Sequence, residues 1–348
     1  MEEENKLLGK TCRTEKSFLV FLIMLFTCSF LYAQEPELTK IGSYKCGRQP
    51  KQVLFSPDSK YILMPLLDDN GFDIFSVEEK KIIKRINPPN AAKLGFAEGL
   101  FIPEKKTFLV SQMTTANVYE YSYPDFKLIR TIPTGGNWSK FIAFSSQKQL
   151  LAVSNWVSND VSIIDYKTGE CIKRISTGAA PRGLYFIEGG KTIISLSFDD
   201  GLIEKFDVET GKQLAVIKVA DAAMRHIVLN NDNTKAYVSD MYHRLVYEVN
   251  LNTFKITAQT QVFNNPNTIK LYKDRWLFVS SRGPNNKEDY TKRSPENGKI
   301  QIIDTQTMKV VQAFEGGNQP TGLDISPDGK YLCFSNFQDE NIELYEIK

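Results

Sequence analysis

The stretch "NDVSIIDYKTGECIKRISTGAAPRGLYF", which runs from Asn159 to Phe186, reads as three β-strands joined by two changes of direction. Alternating apolar and β-branched residues indicate the strands. Asp165, Thr168 and Gly169 supply a tight turn between the first two. Gly178 to Pro181 form a corner before the third, where we expect the glycine to let the chain reverse. Whether this unit recurs elsewhere in the chain decides the fold.

The unit recurs seven times. In each copy a polar turn such as "SPDSK" or "SPDGK" follows the first strand, and a hydrophobic strand such as "LLAVSN" or "YLCFSN" comes next. The copies align on a hydrophobic residue of the first strand, at Phe55, Phe101, Phe144, Phe186, Leu229, Leu271 and Ile325. A repeat of about forty residues with four short strands is typical of a propeller blade. The sequence therefore predicts an all-β, seven-bladed β-propeller with four-stranded antiparallel blades.

The seventh unit lacks its outer strand, because the chain ends at the third strand, "IELYEIK". The stretch "LTKIGSYKCG", Leu38 to Gly47, has the pattern of an outer strand. We expect it to pair with the C-terminal strand and close the ring, which removes the open sheet edges. Cys46 would then lie on the outer strand and Cys333 on the second strand of one blade. A separation of about two strand spacings, roughly 10 Å, is too long for a disulfide.

Residues 1–33 differ from the rest of the chain. Ser17 to Tyr32 are almost wholly apolar, and Ala33 offers a small residue for cleavage, which predicts a signal peptide over 1–33. Several glutamates precede the apolar run, which is atypical, so an uncleaved anchor and a lipoprotein leader with lipid on Cys28 stay open. In each case residues 34–348 would lie in the periplasm, the cell envelope or the extracellular space. We expect membrane contact only through this segment.

The charge balance gives no global attraction to nucleic acid or to an anionic membrane. The 348 residues include 43 basic and 41 acidic side chains, for a formal net charge of +2. Electrostatic function must therefore come from local clusters of charge. Beyond the leader, Cys46, Cys171 and Cys333 are too far apart for a disulfide framework or a metal site, so we expect buried thiols.

Units such as "NDVSIIDYKTGECIKRISTGAAPRGLYF" and "GKIQIIDTQTMKVVQAFEGGNQPTGLDISPDGKYLCFSN" resemble YVTN-type repeats. These repeats build seven-bladed propellers similar to the YncE-like and surface-antigen proteins of bacteria and archaea. The resemblance covers nearly all of Pro36 to Lys348 and implies a secreted or periplasmic binding or scaffold protein. Proteins of similar propeller fold include lactonases and the propeller subunits of quinoprotein dehydrogenases. Blades one and two depart most from the repeat, because "FSVEEK" and "YSYPDF" lack its Asp-x-x-Thr turn.

The residue four positions before each aligned hydrophobic residue should start an innermost strand and encircle the mouth of the channel. These positions hold Lys51, Ala97, Lys140, Arg182, Arg225, Asn267 and Thr321. Four of the seven are basic, and a narrow concave mouth would focus their charge. The cluster predicts a site for a carboxylate, a phosphate or a nucleic-acid backbone. The alternative is that these side chains face water or pair with acidic residues. The candidate acidic partners in the blades and loops near the mouth are Glu98, Asp199, Asp200 and Asp240.

Aromatic residues are expected on the same face. Trp138 enters blade three, Trp156 follows its second strand, and Tyr242 and His243 occupy the matching loop of blade five. Aromatic rings beside cations suit a ring-bearing or sugar-like ligand, or a protein partner. For these residues the alternative is packing between blades, which we expect for Trp276.

An insertion in blade six, 281–299, reads "SRGPNNKEDYTKRSPENGK" and brings Arg282 to the same face. Its polar, Pro- and Gly-rich composition predicts an arm that projects over the mouth as a lid or as a contact for a partner. A disordered surface loop is the alternative.

Catalytic chemistry has little support. The chain has two histidines, His226 and His243. The sequence contains no metal-ligand spacing, no nucleophile elbow and no phosphate-binding loop. We therefore predict no catalytic residue, no metal and no cofactor. A lactonase-like hydrolase that uses Glu98 or Glu204 with Arg225 and His226 stays open, as does a component of a redox enzyme.

The sequence thus predicts a secreted or periplasmic propeller that binds or scaffolds without catalysis. Its site would combine basic and aromatic residues, namely Lys51, Lys140, Arg182, Arg225, Trp138, Trp156, His243 and Arg282. The partner would be an unknown anionic small molecule or a protein, with weaker support for nucleic acid. A cell-surface adhesion or antigen protein that binds partners with its rim is the other alternative.

Overall fold

The repeat folds into seven four-stranded antiparallel sheets, counted over residues 34–289 and 291–348, which the computed structural model describes. The sheets belong to one unit, Glu37–Lys348. The innermost strands of neighbouring blades pack against one another, except that blade one contacts the innermost strand of blade two through its second strand. The innermost strand of the last blade packs against that of the first, so the blades form a closed ring. The predicted signal peptide, 1–33, lies outside the described residues.

The strands of each blade follow one another from the channel outward. The innermost strands are β2 (Leu54–Phe55), β6 (Phe96–Ile102), β10 (Ser139–Ser145), β14 (Pro181–Ile187), β18 (Met224–Leu229), β22 (Pro266–Tyr272) and β26 (Pro320–Ile325). The second strands are β3 (Tyr61–Pro65), β7 (Thr107–Gln112), β11 (Leu150–Asn155), β15 (Thr192–Ser197), β19 (Lys235–Asp240), β23 (Trp276–Ser281) and β27 (Tyr331–Asn336).

The outer halves of the blades are equally regular. The third strands are β4 (Phe72–Ser76), β8 (Asn117–Ser122), β12 (Asp160–Asp165), β16 (Leu202–Asp207), β20 (Leu245–Asn250), β24 (Lys299–Asp304) and β28 (Asn341–Ile347). The outermost strands are β5 (Lys81–Ile86), β9 (Leu128–Pro133), β13 (Cys171–Ser176), β17 (Gln213–Lys218), β21 (Lys255–Gln261), β25 (Lys309–Glu315) and β1 (Leu38–Lys45).

The two helical elements among the described residues are single 3-10 turns, Pro103–Lys105 and Glu188–Gly190. Each links the first and second strands of its blade. Within 34–289 and 291–348 the structure has no helix with the length and apolar character needed to cross a membrane.

The predicted closure of the ring is confirmed. Strand β1 pairs antiparallel with β28 from Leu38 opposite Ile347 to Lys45 opposite Asn341, with a bulge between Lys40 and Gly42. This pairing completes the sheet whose innermost strand is β26. The edge that the chain's C-terminal strand would otherwise expose is therefore covered.

The expectation of buried thiols holds for Cys333, whereas Cys46 and Cys171 are half-buried. Cys46 lies one residue beyond β1, and its N–H donates to the carbonyl of Glu340 at 2.9 Å. Cys333 pairs with Leu344 of β28, which lies between it and β1. Among the described cysteines, Cys46, Cys171 and Cys333 are all free thiols, and burial raises the pKa of both Cys46 and Cys333.

Hydrophobic cores lie between neighbouring blades. One core joins Leu196 of blade four to Met224 and Val238 of blade five. Another joins Trp276 of blade six to Leu332 of blade seven, and Trp276 is 2% exposed, as expected for a packing residue. Because each such side chain contributes about 1.5–3 kcal/mol when buried, the stability of the ring depends on every blade having two neighbours.

The expectation that Gly178 reverses the chain at the corner is wrong. The left-handed residue is Ala180, with φ of 56°, directly before Pro181, whereas Gly178 lacks a positive φ. The reason lies in the hydrogen bonds of the corner, since the Ala180 carbonyl accepts from the N–H of Phe198 at 3.1 Å. Gly178 serves close packing instead, because a Cβ there would come within 2.7 Å of Leu202.

This corner hydrogen bond is present in every blade. The residue that follows the second strand donates its N–H to the corner carbonyl at 2.8–3.1 Å, in the pairs Leu67–Gln49, Met113–Gly95, Trp156–Trp138, Phe198–Ala180, Met241–Ala223, Arg282–Asn265 and Phe337–Gln319. The bond fixes two residues of each blade beside the end of the channel. These pairs position most of the candidate site.

Ion pairs brace the outer halves of several blades. A buried carboxylate on the third strand bonds a basic residue of the outermost strand, with Asp73 and Arg85 at 2.6 Å as the first example. Glu120 and Arg130 repeat the arrangement at 2.6 Å, and Glu343 pairs with Lys40 at 2.5 Å. These carboxylates are therefore occupied far from the channel and leave its cations to other partners.

Candidate functional site

A bulge in six of the seven innermost strands turns two successive residues toward the channel. In blade three, Ser139 pairs with Asn155 and Ile142 pairs with Val153, so Lys140 and its neighbour share one position of the partner strand. The pairing shifts at the same point in β6, β14, β18, β22 and β26. Bulges of this kind re-aim side chains. Six of the seven positions read from the sequence fall on these bulges, and Lys51 directly follows the isolated bridge between Pro50 and Leu66.

Serines on the second strands hold the bulges, and the sequence reading missed them. Ser111 accepts from the N–H of Glu98 at 3.2 Å and donates to the carbonyl of Lys140, in the next blade, at 2.6 Å. In blade five, Ser239 accepts from the N–H of His226 and donates to the carbonyl of Asn267 in blade six. In blade six, Ser280 accepts from the N–H of Thr268 and donates to the carbonyl of Thr321 in blade seven. The signal was available in the sequence as a serine near the end of "LVSQ", "YVSD" and "FVSS".

One pocket of about 760 Å³ brings together six of the eight predicted residues. It lies at the end of the channel and is lined by Lys51, Trp138, Lys140, Trp156, Arg225 and Arg282. The residue after each second strand contributes to the wall, in all seven blades. Among these, Phe198 and Phe337 were not predicted, although the pattern "SN" or "LS" before an aromatic residue marks both.

Lys140 and Trp156 form the closest cation–aromatic contact of the pocket. The Lys140 ammonium lies 3.5 Å from the centroid of the Trp156 ring, and 6.0 Å from that of Trp138. The Trp156 ring in turn packs on Phe198 with centroids 5.1 Å apart. The aromatic wall therefore holds the ammonium in place, which an interaction of about 0.5–2 kcal/mol would favour.

The opposite wall repeats the combination. The Lys51 ammonium lies 5.3 Å from the centroid of the Phe337 ring, and the Arg282 guanidinium lies 5.1 Å from it. Arg282 also donates a hydrogen bond to the side chain of Gln319 at the corner of blade seven. Two cations thus share one aromatic ring across the pocket from Lys140.

Arg182 lies deeper than the pocket and is paired. Its Nη2 donates to Glu98 Oε1 at 2.6 Å, with Arg182 2% exposed and Glu98 buried as well. The bond spans the channel from blade four to blade two. Burial raises the pKa of Glu98, while Arg182, Lys51 and Lys140 act in the opposite direction. Arg182 therefore follows the alternative prediction, in which a basic residue of the mouth pairs with an acidic neighbour.

The pKa values of Lys51 and Lys140 are lowered by burial and by repulsion within the cluster. Burial lowers the pKa of Lys51 well below its usual value, and Arg182, Arg282 and Lys140 lower it further. Burial and Arg182 also lower the pKa of Lys140, against the attraction of Glu98 and Asp199. Removal from water and mutual repulsion both disfavour the charged amines. A bound anion would offset both effects, because it would favour the charged form of each amine.

His243 does not join the pocket. Its Nδ1 lies 2.8 Å from Oδ2 of Asp240, and the same carboxylate accepts from Tyr247 Oη at 2.9 Å. His243 therefore has a structural role in the blade-five loop, and its prediction as a ligand residue has no geometric support. Its neighbour Tyr242 does line the pocket and is 68% exposed.

The blade-six insertion packs against blade seven and forms part of the pocket wall. Arg293 pairs with Asp339 at 2.6 Å, and Asn318 exchanges hydrogen bonds of 3.0 Å with the backbone of Ser294. Asn285 and Thr291 reach the pocket. Its described residues thus form part of the wall beside the mouth. A lid or partner-binding role stays a prediction.

Two residues of the hydrolase alternative are tied to other tasks. Glu204 Oε2 accepts from Ser197 Oγ at 2.6 Å and from the N–H of Gly178 at 3.0 Å, which places it in the blade, away from the channel. Burial lowers the pKa of His226 to about 3, so this imidazole is neutral at physiological pH. Among the described residues, no group of three His, Cys, Asp or Glu side chains is arranged to hold a metal ion.

The other end of the channel differs in charge. It opens into a pocket of about 590 Å³ lined by Tyr185, His226, Lys270 and Asp324, among others. Lys270, the one lysine of the described lining, is neutralised here, since its Nζ lies 2.7 Å from Asp324 Oδ1. The concentration of cations is therefore a property of the mouth defined by Lys51, Lys140 and Arg225.

The ring and the pocket define a seven-bladed β-propeller with a cationic, aromatic-lined cavity on its channel axis. The chain is 36% identical over 316 residues to antigen Lp49 of Leptospira interrogans serogroup Icterohaemorrhagiae serovar copenhageni (strain Fiocruz L1-130). The alignment covers 88% of this chain and 69% of that protein. The chain belongs to the antigen Lp49 family. No family model matches the chain.

Proposed function

We propose that this protein is an exported, non-catalytic binding propeller that captures an anionic ligand in the mouth pocket. The observation that carries the proposal is the excess of cations in that pocket. Lys51, Lys140 and Arg225 meet Arg282 there, while Asp68 and Asp199 are the acidic side chains of its described lining. Asp68 pairs with Arg48 at 3.3 Å, and the basic side chains of the described lining outnumber the acidic ones.

The ligand would contribute the charge that the pocket lacks. A small organic acid or an acidic segment of a protein would accept hydrogen bonds from the amines and place its apolar part on Trp138, Trp156 or Phe337. A nucleic-acid backbone offers the same charge but needs a longer basic surface than one pocket. We therefore favour a small anion or an acidic peptide segment.

Export and surface exposure are supported by two features. The sequence of 1–33 has the pattern of a signal peptide. The related protein of Leptospira is named an antigen, a term that fits an exposed protein. We propose a place in the periplasm, the cell envelope or outside the cell, and we retain the YVTN and YncE-like resemblance as part of this proposal.

A cell-surface protein that binds partners with the same face is the second candidate, because the family relative is named an antigen. Trp138 and Tyr242, 44% and 68% exposed, stand at the mouth and offer the aromatic anchors that protein interfaces use. The two candidates differ in the size of the ligand rather than in the site.

The proposal is tested by thermal unfolding of the full-length chain with citrate, phosphate, benzoate, acidic peptides and neutral analogues. We expect at least one anion to raise Tm, and the rise to shrink between low and high salt because free ions screen the pocket. Lys140→Met should abolish most of the rise, whereas Lys218→Met, on an exposed outer strand, should retain it. A rise that Lys140→Met leaves intact would place binding elsewhere.

A further inference from the structure

Beneath the mouth pocket, several buried donors lack hydrogen-bond partners among the described residues. They are Arg182 Nη1, Arg225 Nε and Asn267 Nδ2. All three residues occupy the bulge position of their innermost strands, on the consecutive blades four, five and six. Each is at most 7% exposed. Buried N–H groups normally have an acceptor, so this convergence requires an explanation.

The existing bonds of these side chains fix where the open donors lie. Arg182 reaches across the channel to Glu98, and Arg225 Nη2 donates to Asn267 Oδ1 at 2.9 Å. The second bond fixes the Asn267 amide with its oxygen toward Arg225, so its NH₂ group stays available. Arg225 also lines the mouth pocket, which connects that pocket with the three donors.

We propose that the channel below the mouth pocket is a carboxylate site, formed by Arg182, Arg225 and Asn267. The inference rests on the proposed function and deepens it. The ligand of the mouth pocket would be an organic monocarboxylate or the terminal carboxylate of a peptide, inserted with its charged group innermost. The remainder of the ligand would stay in the pocket against the aromatic wall.

The charge of the site matches one carboxylate. Glu98 already neutralises Arg182, and the partner of Arg225 is a neutral amide, so one positive charge is left over. A carboxylate accepts several hydrogen bonds in a plane, which suits one N–H from each of two guanidinium groups and one amide. A phosphate dianion would bring a second negative charge close to Glu98.

An aromatic ring and a neutral imidazole lie next to the proposed site on the side away from the mouth, and the Lys270–Asp324 ion pair lines the far end of the channel. Phe141 and His226 meet edge to face with ring centroids 5.5 Å apart, one residue further along their strands. The pKa of His226 is lowered to about 3, so the imidazole adds no positive charge. Nδ1 of His226 also lacks a partner within the described part of the chain.

Benzoate and benzamide test the inference, because they share a shape and differ in charge. In calorimetric titrations of the full-length chain we expect benzoate to bind at least about ten-fold more tightly than benzamide. Asn267→Asp, which places a fixed carboxylate at the site, should weaken benzoate at least about ten-fold and leave benzamide unchanged. Asn252→Asp, on an exposed turn, carries the same change of charge and should have no effect. The Tm of each variant confirms that it folds.

Equal affinities for the two probes, or benzoate binding that Asn267→Asp leaves unchanged, would overturn the carboxylate site. In either case the proposed function survives if another anion still raises Tm in a manner that Lys140→Met abolishes. If no anion binds at all, both fail. Inorganic phosphate binding more tightly than benzoate would also overturn the inference, because it would show a preference for higher charge.

Discussion

A chain that begins at Cys46, and so lacks β1, is expected to lose about 5 kcal/mol or more of its free energy of unfolding. Strand β1 supplies seven residue pairs to β28. Each backbone hydrogen bond in such a ladder contributes about 0.5–1.5 kcal/mol net. Ile41 and Tyr44 of β1 also pack on the core between blades seven and one. Both side chains are half-buried, so each adds part of the about 1.5–3 kcal/mol that a fully buried side chain contributes.

Urea unfolding of chains that begin at Gln34, Glu37 and Cys46 measures this effect. The first two should unfold at the same urea concentration, because both keep β1. A peptide of residues 36–46, added to the shortest chain, should bind the exposed edge of β28 and restore part of the stability. If the shortest chain is as stable as the others, the ring does not depend on closure by the N-terminal strand.

The second large effect concerns the buried ion pair. Arg182→Met is expected to destabilise the protein by about 3–5 kcal/mol at neutral pH, because Glu98 must then either hold a buried charge without its main partner or take up a proton from a neutral solution. Lys205→Met, which removes an ion pair with Glu188 on the surface of the same blade, should cost less than about 1 kcal/mol. The double variant Glu98→Gln/Arg182→Met should recover most of the loss.

The loss in Arg182→Met should depend on pH. Burial already raises the pKa of Glu98 above its usual 4.5, and Arg182 is the largest influence that lowers it. Without Arg182 the pKa rises further, so the neutral acid is favoured in the folded state. For an acid with a raised pKa, stability is highest below the unfolded pKa and falls as pH rises through the folded one. The deficit relative to the wild type should therefore be small near pH 4.5 and grow toward neutral pH. A deficit that is constant across this range would contradict the role of Glu98.

The sequence was sufficient to predict the blades because each repeat carries its own period and turns. The second strand of blade three, "LLAVSN", and its six counterparts could be aligned without structural knowledge. The same alignment placed Lys51, Lys140 and Arg225 at the mouth, since a shared offset in a repeat becomes a shared height in a ring.

The finer contacts could not be predicted, because they join blades that are distant in sequence. The bond from Arg182 to Glu98 crosses the channel between residues 84 positions apart. The corner at Ala180 depends on a bond to Phe198 on the neighbouring strand, which outweighed the local preference for glycine. His243 was predicted as a ligand residue because the sequence alone does not show that its imidazole bonds Asp240.

The anomalous scattering of bromide gives the most direct test of the central claim, which is that the mouth of the channel binds anions. Crystals of the full-length chain, soaked in bromide and measured at the bromine absorption edge, would locate bound anions without knowledge of the natural ligand. We predict a strong peak within the pocket bounded by Lys51, Lys140 and Arg225, and its loss in crystals of Lys140→Met. Bromide bound at other surfaces, with no peak at the mouth, would contradict the claim.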